Sequence, residues 1–186
     1  IIIDCANGSA GEVIGELCAH LKINFQVINN SPNGFNINQK CGSTSLNDLQ
    51  NKVLEEHADL GFAYDGDADR VLAVDEKGEL VDGDQMMVIY VNSFIKEGKL
   101  GNNKIVTTHM SNLGFDKAIK KLGGKVIRTD IGDKYVLRKM LEEDALLGGE
   151  QSGHIIFLTH SPNSDGILST FKLLDAIEYS GKKFSI

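Results

Sequence analysis

The chain has 186 residues, 41% hydrophobic and 24% charged, as expected for a folded globular protein of one or two domains. A net charge of −7 with only three arginines argues against a nucleic-acid surface, and no apolar run approaches the roughly 20 residues of a membrane span; we expect a cytoplasmic protein. Cys5, Cys18 and Cys41 are odd in number and lack a C-x-x-C spacing, which argues against a disulfide framework and a zinc site.

The first half of the chain has the pattern of a βαβαβ unit. Short β-branched or apolar runs alternate with stretches in which apolar residues recur at helical spacing. The predicted elements are, in order, a strand at 1–4, a helix at about 11–21, a strand at 25–28, a helix at about 46–56 and a strand at 60–64. A hairpin follows, with strands at 71–75 and 79–81.

The second half repeats this order. Its predicted elements are a helix at 85–94, a strand at 105–108, a helix near 114–122, a strand at 125–128, a helix at 134–142, and strands at 146–148 and 155–158. We therefore predict an α/β fold with two tandem βαβαβ-type domains of similar topology, each a mixed, mostly parallel sheet flanked by helices. The predicted domains are residues 1–81 and 82–186. Because the chain opens inside a strand without an initiating Met, we expect a piece of a longer enzyme.

The loop after the strand at 60–64 carries three carboxylates at alternate positions and then a guanidinium: Asp65, Asp67, Asp69 and Arg70. In an extended or tightly looped backbone, residues two apart can turn to the same side, so three oxygen donors could converge on one Mg²⁺. Arg70 would suit a phosphate oxygen beside the metal. The pattern predicts a divalent cation site with an anion-binding arginine.

Three other interpretations fit an Asp-rich hexamer. One is a solvated acidic turn, which strict alternation and the arginine disfavour. An EF-hand is excluded, because position six of the loop is Arg70 where glycine is required and a strand follows instead of a helix. The haloacid-dehalogenase-like phosphotransferases also place Asp-x-Asp after a buried strand, with Asp65 as the nucleophile, although Asp69 would normally be Thr or Val there.

A second loop stands at the equivalent position of the repeat, after the strand at 146–148. Glu150, Ser152 and His154 alternate there between glycines, so their side chains can project together. A carboxylate, a hydroxyl and an imidazole are suited to a sugar and its phosphate. Ligands of parallel α/β units bind outside the carboxyl ends of the strands, which is where both loops fall.

These residues resemble the α-D-phosphohexomutase family over essentially the whole chain. Residues 65–70 are similar to the family's metal-binding loop, and residues 149–154 to its sugar-binding loop. Gln151 resembles the glucosamine branch, because the glucose and mannose branches often place Met or another residue there. Further segments that resemble this branch are 33–38, 41–44, 81–85, 110–114 and 132–136.

The resemblance implies a four-domain parent enzyme, of which this chain is similar to the second and third domains. The partners would then be the first domain with its phosphorylated serine, the fourth domain with its phosphate clamp, and a phosphorylated hexosamine. A homodimer of the full-length protein is also compatible with the resemblance. Two segments depart from the family pattern: Ser45 replaces the His that commonly follows Gly-Ser-Thr, and residues 160–166 differ from the usual Thr-Thr-Gly-Asp-Gly ending.

The resemblance also implies a reaction and residue roles. Glucosamine 6-phosphate and glucosamine 1-phosphate would be interconverted through a bisphosphate, for cell-wall precursor synthesis. Asp65, Asp67 and Asp69 would hold Mg²⁺, and Arg70 would stabilise the transferring group. The substrate-binding residues would be Glu150, Ser152 and His154, with Gly132, Asp133 and Lys134 as weaker candidates and His154 also a catalytic proton carrier.

Three alternatives to this function remain open from the sequence. One is a phosphomannomutase or phosphoglucomutase of the same superfamily. Another is a phosphatase with Asp65 as nucleophile, and the third is a sugar-phosphate binding module. In the mutase interpretation we expect the isolated chain to be inactive, because the nucleophilic serine lies outside it.

Overall fold

Residues 1–180 are described by the structure, a computed structural model, and they divide into two α/β units. Of the described residues, the first unit comprises Ile1–Val81 and Gly166–Thr170, and the second comprises Asp82–Asp165 and residues 171–180. The last six residues of the predicted second domain lie outside the described part. Each unit is built around its own sheet, so the predicted α/β class with mixed, mostly parallel sheets is confirmed.

The first unit has a five-stranded sheet in the order β2-β1-β3-β4-β5. Its elements are β1 (Ile2–Asp4), α1 (Ile14–His20), β2 (Gln26–Ile28), α2 (Asn47–Glu55), β3 (Leu60–Tyr64), β4 (Val71–Asp75) and β5 (Leu80–Val81). The pairs of β1 with β2 and β3 are parallel, whereas β3–β4 and β4–β5 are antiparallel. The carboxyl ends of the three parallel strands therefore share one edge of the sheet.

The core of the first unit lies where α2 covers the sheet. Every residue of β3 and β4 is buried, as the nearly continuous apolar runs predict. One cluster of mutually packed side chains consists of Ile2, Leu49, Val53, Ala63 and Val74. Its members come from three strands and from one face of α2, so burial of this face anchors the helix.

The predicted helix at 11–21 is divided in the structure. A 3₁₀ turn occupies Ser9–Glu12, and the α-helix proper begins only at Ile14. The backbone N–H of Ser9, at the start of the 3₁₀ turn, donates to the carbonyl of Gly66, 3.0 Å away. Apolar periodicity alone predicted neither the division of the helix nor this tertiary hydrogen bond.

The second unit has a four-stranded sheet in the order β7-β6-β8-β9. Its elements are α3 (Gly83–Lys96), β6 (Lys104–Thr108), α4 (Leu113–Lys121), β7 (Lys125–Thr129), α5 (Asp133–Glu143), β8 (Leu147–Gly149), β9 (Ile155–Phe157) and most of α6 (Gly166–Ser180). The pairs of β6 with β7 and β8 are parallel, and β8–β9 is antiparallel. This arrangement repeats that of β1 to β4.

α3 begins two residues earlier than the sequence predicts, because Asp82 caps it. The Asp82 side chain accepts a hydrogen bond from the Gln85 N–H, and the Gln85 side chain accepts one from the Asp82 N–H. This capping box satisfies two donors at the helix start. The core beneath the helices includes Val106, Val136, Met140, Ala145 and Ile156.

All three cysteines are buried in the first unit. Burial raises the pKa of the Cys5 thiol to about 12, so this side chain is a neutral packing group at physiological pH. Within residues 1–180, none of the helices combines the length and apolarity needed to traverse a bilayer.

Candidate functional site

The loop Asp65–Arg70, here called the acid loop, closes the hairpin between β3 and β4. Its backbone is drawn tight: the Ala68 N–H donates to the Asp65 carbonyl (3.2 Å), and the Arg70 N–H donates to the Asp65 carboxylate (3.1 Å). Ala68 adopts a left-handed conformation with φ of 61°. Asp65 thus stabilises the loop by accepting hydrogen bonds with both its main-chain carbonyl and its side chain.

The acid loop brings its three carboxylates together. One oxygen from each of Asp65, Asp67 and Asp69 lies within 4.8 Å of the other two. Asp65 and Asp69 are partly buried, and Asp67 is exposed. Three carboxylate oxygens at this separation suit a hard divalent cation, so the residues present could hold a metal.

The electrostatics of the loop favour a bound cation. Burial, followed by the neighbouring Asp69 carboxyl group, raises the pKa of Asp65 to about 6. The Nε of Arg70 lies 3.9 Å from an oxygen of Asp65 and 3.7 Å from one of Asp69. The Arg70 side chain is 46% exposed, so these contacts stabilise the carboxylates weakly and leave the guanidinium able to reach an anion.

Neighbouring segments of the first unit support the acid loop. The Ser9 N–H donates to the Gly66 carbonyl, and the Gly166 N–H donates to the Ala68 carbonyl at 2.9 Å. A Cβ built on Gly66 would lie 2.6 Å from Cδ1 of Ile37, so this side chain rests against the loop. The acid loop is therefore a fixed part of the sheet edge.

In the second unit, the loop Glu150–His154, here called the Glu150 loop, connects β8 and β9. The Glu150 N–H donates to the His154 carbonyl (2.9 Å), and the Gly153 N–H donates to the Glu150 carbonyl (3.0 Å). Gly153 has φ of +90°, which favours glycine. A Cβ on Gly83 would lie 2.2 Å from the Glu150 carbonyl oxygen, so only glycine allows the start of α3 to approach this closely.

The structure brings Gly132 to Glu150. The Glu150 carboxylate accepts a hydrogen bond from the Gly132 N–H at 3.0 Å, and Gly132 is the N-cap residue of α5. Asp133 is the first residue of α5, and its carboxylate accepts a hydrogen bond from the N–H of Lys134. The Lys134 ammonium lies over the Tyr135 ring, 4.9 Å from its centroid.

The remaining residues of the Glu150 loop differ in exposure. The side chain of Ser152 is exposed, whereas His154 is only 5% exposed. Gln151 donates through Nε2 to Asp82 Oδ2 at 3.0 Å. The common projection of Glu150, Ser152 and His154 therefore stays a prediction; the three residues differ in exposure, and Gly153, between Ser152 and His154, has a positive φ.

Two supporting residues were not identified from the sequence. Asp82 holds Gln151 while it caps α3, and the hydroxyl of buried Thr107 donates to the Gly149 carbonyl at 2.9 Å. The Asp82-x-x-Gln85 spacing is a recognisable capping-box signal. Thr107 lies in an ordinary strand pattern and carries no such signal.

Comparison with known proteins gives two adjoining family matches. The model described as "Phosphoglucomutase/phosphomannomutase, alpha/beta/alpha domain II" matches residues 1–78. The model for "alpha/beta/alpha domain III" of the same family matches residues 82–186. Together they cover nearly the whole chain.

Curated relatives agree with these matches. The phosphoglucosamine mutase of Acetivibrio thermocellus is 54% identical over 185 residues, which are 100% of this chain and 41% of the relative. That of Carboxydothermus hydrogenoformans is 52% identical, over 100% of this chain and 42% of the relative. The chain thus spans about two fifths of the length of these relatives.

Solved structures are similar in fold. A phosphoglucomutase/phosphomannomutase family protein from Burkholderia thailandensis superposes with a TM-score of 0.86 at 24% identity, over 96% of this chain and 39% of that one. The N-acetylphosphoglucosamine mutase of Aspergillus fumigatus, solved with GlcNAc-6P and magnesium, gives 0.75 at 22% identity, over 98% and 44%. At these identities the likeness extends to the fold alone.

Proposed function

Because the chain belongs to the phosphoglucomutase/phosphomannomutase family, we propose that it supplies the second and third domains of a phosphoglucosamine mutase, with their boundary between residues 81 and 82. The intact enzyme would interconvert glucosamine 6-phosphate and glucosamine 1-phosphate through a bisphosphate. Phosphoryl transfer would use a serine in a part of the parent that this chain does not include. The glucosamine preference is supported by relatives named phosphoglucosamine mutase at 54% and 52% identity.

The observation that carries the proposal is the convergence of Asp65, Asp67 and Asp69 at the end of β3. We propose Mg²⁺ as the ion that these carboxylates hold. When bound, it would supply positive charge to neutralise the oxygens of a transferring phosphoryl group. The raised pKa of Asp65 supports the proposal, because burial and the neighbouring Asp69 make its ionised form unfavourable and a bound cation would stabilise that form.

Arg70 is the proposed contact to the phosphoryl group. Its guanidinium is half-exposed and tethered near Asp65 and Asp69, so it can donate to a phosphate oxygen without leaving the acid loop. The backbone N–H of Arg70 donates to Asp65, which ties its main chain to the metal ligands. A shift of this loop would therefore displace both functions at once.

The Glu150 loop is the proposed sugar-binding element. One Glu150 oxygen is held by the Gly132 N–H, which orients the carboxylate so that it can also accept from sugar hydroxyls. The exposed Ser152 hydroxyl would donate or accept beside it. His154, with its small accessible surface, would contact phosphate or carry a proton, and Asp133 and Lys134 would contribute from the start of α5.

The experiment is a mutase assay of the intact parent protein with Mg²⁺, comparing glucosamine, glucose and mannose phosphates, with this chain alone as the negative control. We expect preference for glucosamine phosphates and no turnover by this chain. Preference for glucose or mannose phosphates would keep the mechanism and change the substrate. Turnover by this chain alone, or a beryllofluoride adduct at Asp65 that mimics an aspartyl phosphate, would overturn the mutase proposal.

A further inference from the structure

Asp4, the last residue of β1, is a fully buried carboxylate that joins two loops. Its Oδ1 accepts from the Ala6 N–H and its Oδ2 from the Gly42 N–H, each at 2.9 Å. Burying a carboxylate is unfavourable unless hydrogen bonds satisfy it, and here each oxygen accepts a backbone donor. Asp4 therefore connects the loop after β1 to a turn 38 residues further along the chain.

The loop after β1 leads directly to the acid loop. Ala6 and Asn7 both have left-handed backbones, with φ of 54° and 48°, a conformation that non-glycine residues keep only where their surroundings hold them. After this turn, a Cβ on Gly8 would lie 2.3 Å from the Gly66 carbonyl oxygen. The next N–H, of Ser9, donates to that same carbonyl at 3.0 Å. The left-handed turn thus determines where the chain meets the acid loop.

Gly42 packs against the residue that immediately precedes the acid loop. A Cβ on Gly42 would lie 2.5 Å from the carbonyl oxygen of Tyr64 and 2.6 Å from the Cβ of Ala6. Tyr64 is the residue immediately before Asp65. Gly42 therefore packs closely between the turn after β1 and the end of β3, and its φ of +74° also favours glycine at this position.

We infer that Asp4 is a positioning residue for the metal-binding acid loop. Asp4 holds Ala6 and Gly42 through its two hydrogen bonds. The segments that contain these residues contact Gly66 and Tyr64, so Asp4 determines the spacing of the three carboxylates of the acid loop. Asp4 is buried and is not one of the three carboxylates that converge in the acid loop, so its proposed effect on the metal is indirect. The inference rests on the proposed metal-binding function and adds a residue outside the acid loop on which that function depends.

A matched pair of substitutions separates positioning from stability. Asp75 is also buried in the first unit, and its carboxylate also accepts two backbone N–H groups, from Lys77 and Glu79, each at 2.9 Å. It pairs with Leu60, at the end of β3 opposite to the acid loop. Asp4 pairs with Ala63, so Asp4→Ala and Asp75→Ala remove buried carboxylates beside opposite ends of β3.

The measurements are Mn²⁺ affinity by electron paramagnetic resonance, amide hydrogen exchange at residues 65–70, and the melting temperature, all on this chain. We expect Asp4→Ala to weaken Mn²⁺ binding about tenfold or more, the usual cost of losing an outer-shell partner, and to speed exchange in the acid loop. Asp75→Ala should lower the melting temperature comparably with unchanged Mn²⁺ affinity. Asp4→Ala with wild-type affinity and exchange would overturn the inference.

Two further variants keep the test decisive if Asp4→Ala does not fold. Asp4→Asn retains one acceptor and should weaken Mn²⁺ binding less than loss of both. Gly8→Ala leaves Asp4 intact but adds a Cβ that would clash with Gly66, so it should also weaken Mn²⁺ binding. Wild-type Mn²⁺ affinity in both Asp4→Asn and Gly8→Ala would overturn the inference. If the wild-type chain does not bind Mn²⁺, the proposed metal site and this inference are both overturned. If Asp67→Asn loses Mn²⁺ binding but the Asp4 variants keep it, only this inference is overturned.

Discussion

The Glu150 carboxylate accepts a hydrogen bond from the backbone N–H of Gly132, 3.0 Å away and 18 residues earlier in the chain. Gly132 holds φ of +124°, which strains any residue with a side chain. The bond joins the loop after β7 to the loop after β8, both at the carboxyl edge of the second sheet. The orientation of the proposed sugar-binding carboxylate therefore depends on a glycine.

Gly132→Ala should both destabilise the fold and weaken sugar-phosphate binding, and the loss of binding should be larger than for a variant with a similar loss of stability elsewhere. The left-handed strain should lower the free energy of unfolding by about 1–3 kcal/mol and move the N–H away from Glu150. In the parent enzyme we expect KM for the sugar phosphate to rise at least about fivefold. Gly123→Ala is the control, because Gly123 has φ of +86° with open space around it; it should lose stability while KM stays unchanged.

Asp67→Asn should weaken metal binding without destabilising the fold. Asp67 is exposed, and its carboxylate is one of the three proposed ligands, so we expect Mg²⁺ or Mn²⁺ affinity to fall at least about tenfold with the melting temperature within a degree or two. Isothermal titration of this chain measures the affinity. Asp59→Asn, an exposed carboxylate just before β3, is the control; equal affinities in the two variants would contradict the proposed ligand set.

Metal affinity should fall as the pH drops through about 6. The pKa of Asp65 is raised to about 6, chiefly by burial, and a metal must displace the proton from this carboxyl group. We therefore expect affinity to be constant above pH 7 and to decrease up to tenfold per pH unit below about 6. A titration series from pH 5 to pH 8 measures this, and a flat profile would contradict the role of Asp65 as a ligand.

Without metal, Asp65 should make the first unit less stable at neutral pH than at acid pH. Its folded pKa of about 6 lies above the usual Asp value of 3.8, so the folded state holds more protons between these two pH values, and stability from this group is lost as the pH rises through that window. Asp65→Asn keeps an acceptor for the Arg70 N–H and should gain about 1–2 kcal/mol at pH 7 and nothing at pH 3. Denaturant unfolding at both pH values checks the sign, and Mg²⁺ should reduce the gain, because it stabilises the wild type more than a variant that has lost one of the three proposed ligands.

Asp82→Ala should loosen the Glu150 loop as well as the start of α3. It removes the N-cap of the helix and the acceptor of Gln151 Nε2, so we expect a loss of about 1–2 kcal/mol in denaturant unfolding and faster amide exchange at residues 150–154. Gln85→Ala removes the other half of the capping box but leaves the contact with Gln151. It should cost less stability and leave exchange in the Glu150 loop unchanged.

Most of the secondary structure could be predicted from the sequence, because the β-branched runs and the apolar residues at helical spacing are the residues that the core buries. The strand at 60–64 has the predicted limits, and the acidic cluster follows it as expected. Contacts between segments distant in sequence could not be predicted. Asp4 reads as the polar end of a strand, and only the fold shows that it holds Gly42.

The same limit applies to the Glu150 loop. Alternation in sequence predicted that Glu150, Ser152 and His154 share one side, but it did not predict that Ser152 is exposed and His154 buried, with Gly153 at positive φ between them. The pairing of Glu150 with Gly132 likewise depends on sheet order, which places β7 and β8 on either side of β6. Loop chemistry was readable from residue types, whereas its orientation required the tertiary structure.

Turnover of glucosamine 6-phosphate by the intact parent enzyme, compared between wild type, Asp67→Asn and Asp59→Asn at saturating Mg²⁺, tests the proposed metal-dependent mutase most directly. We predict that Asp67→Asn lowers kcat at least about a hundredfold, because the charge on the transferring phosphoryl group would lose its compensation, while Asp59→Asn keeps the wild-type rate. Wild-type turnover by Asp67→Asn would contradict the assignment of the acid loop as the metal centre.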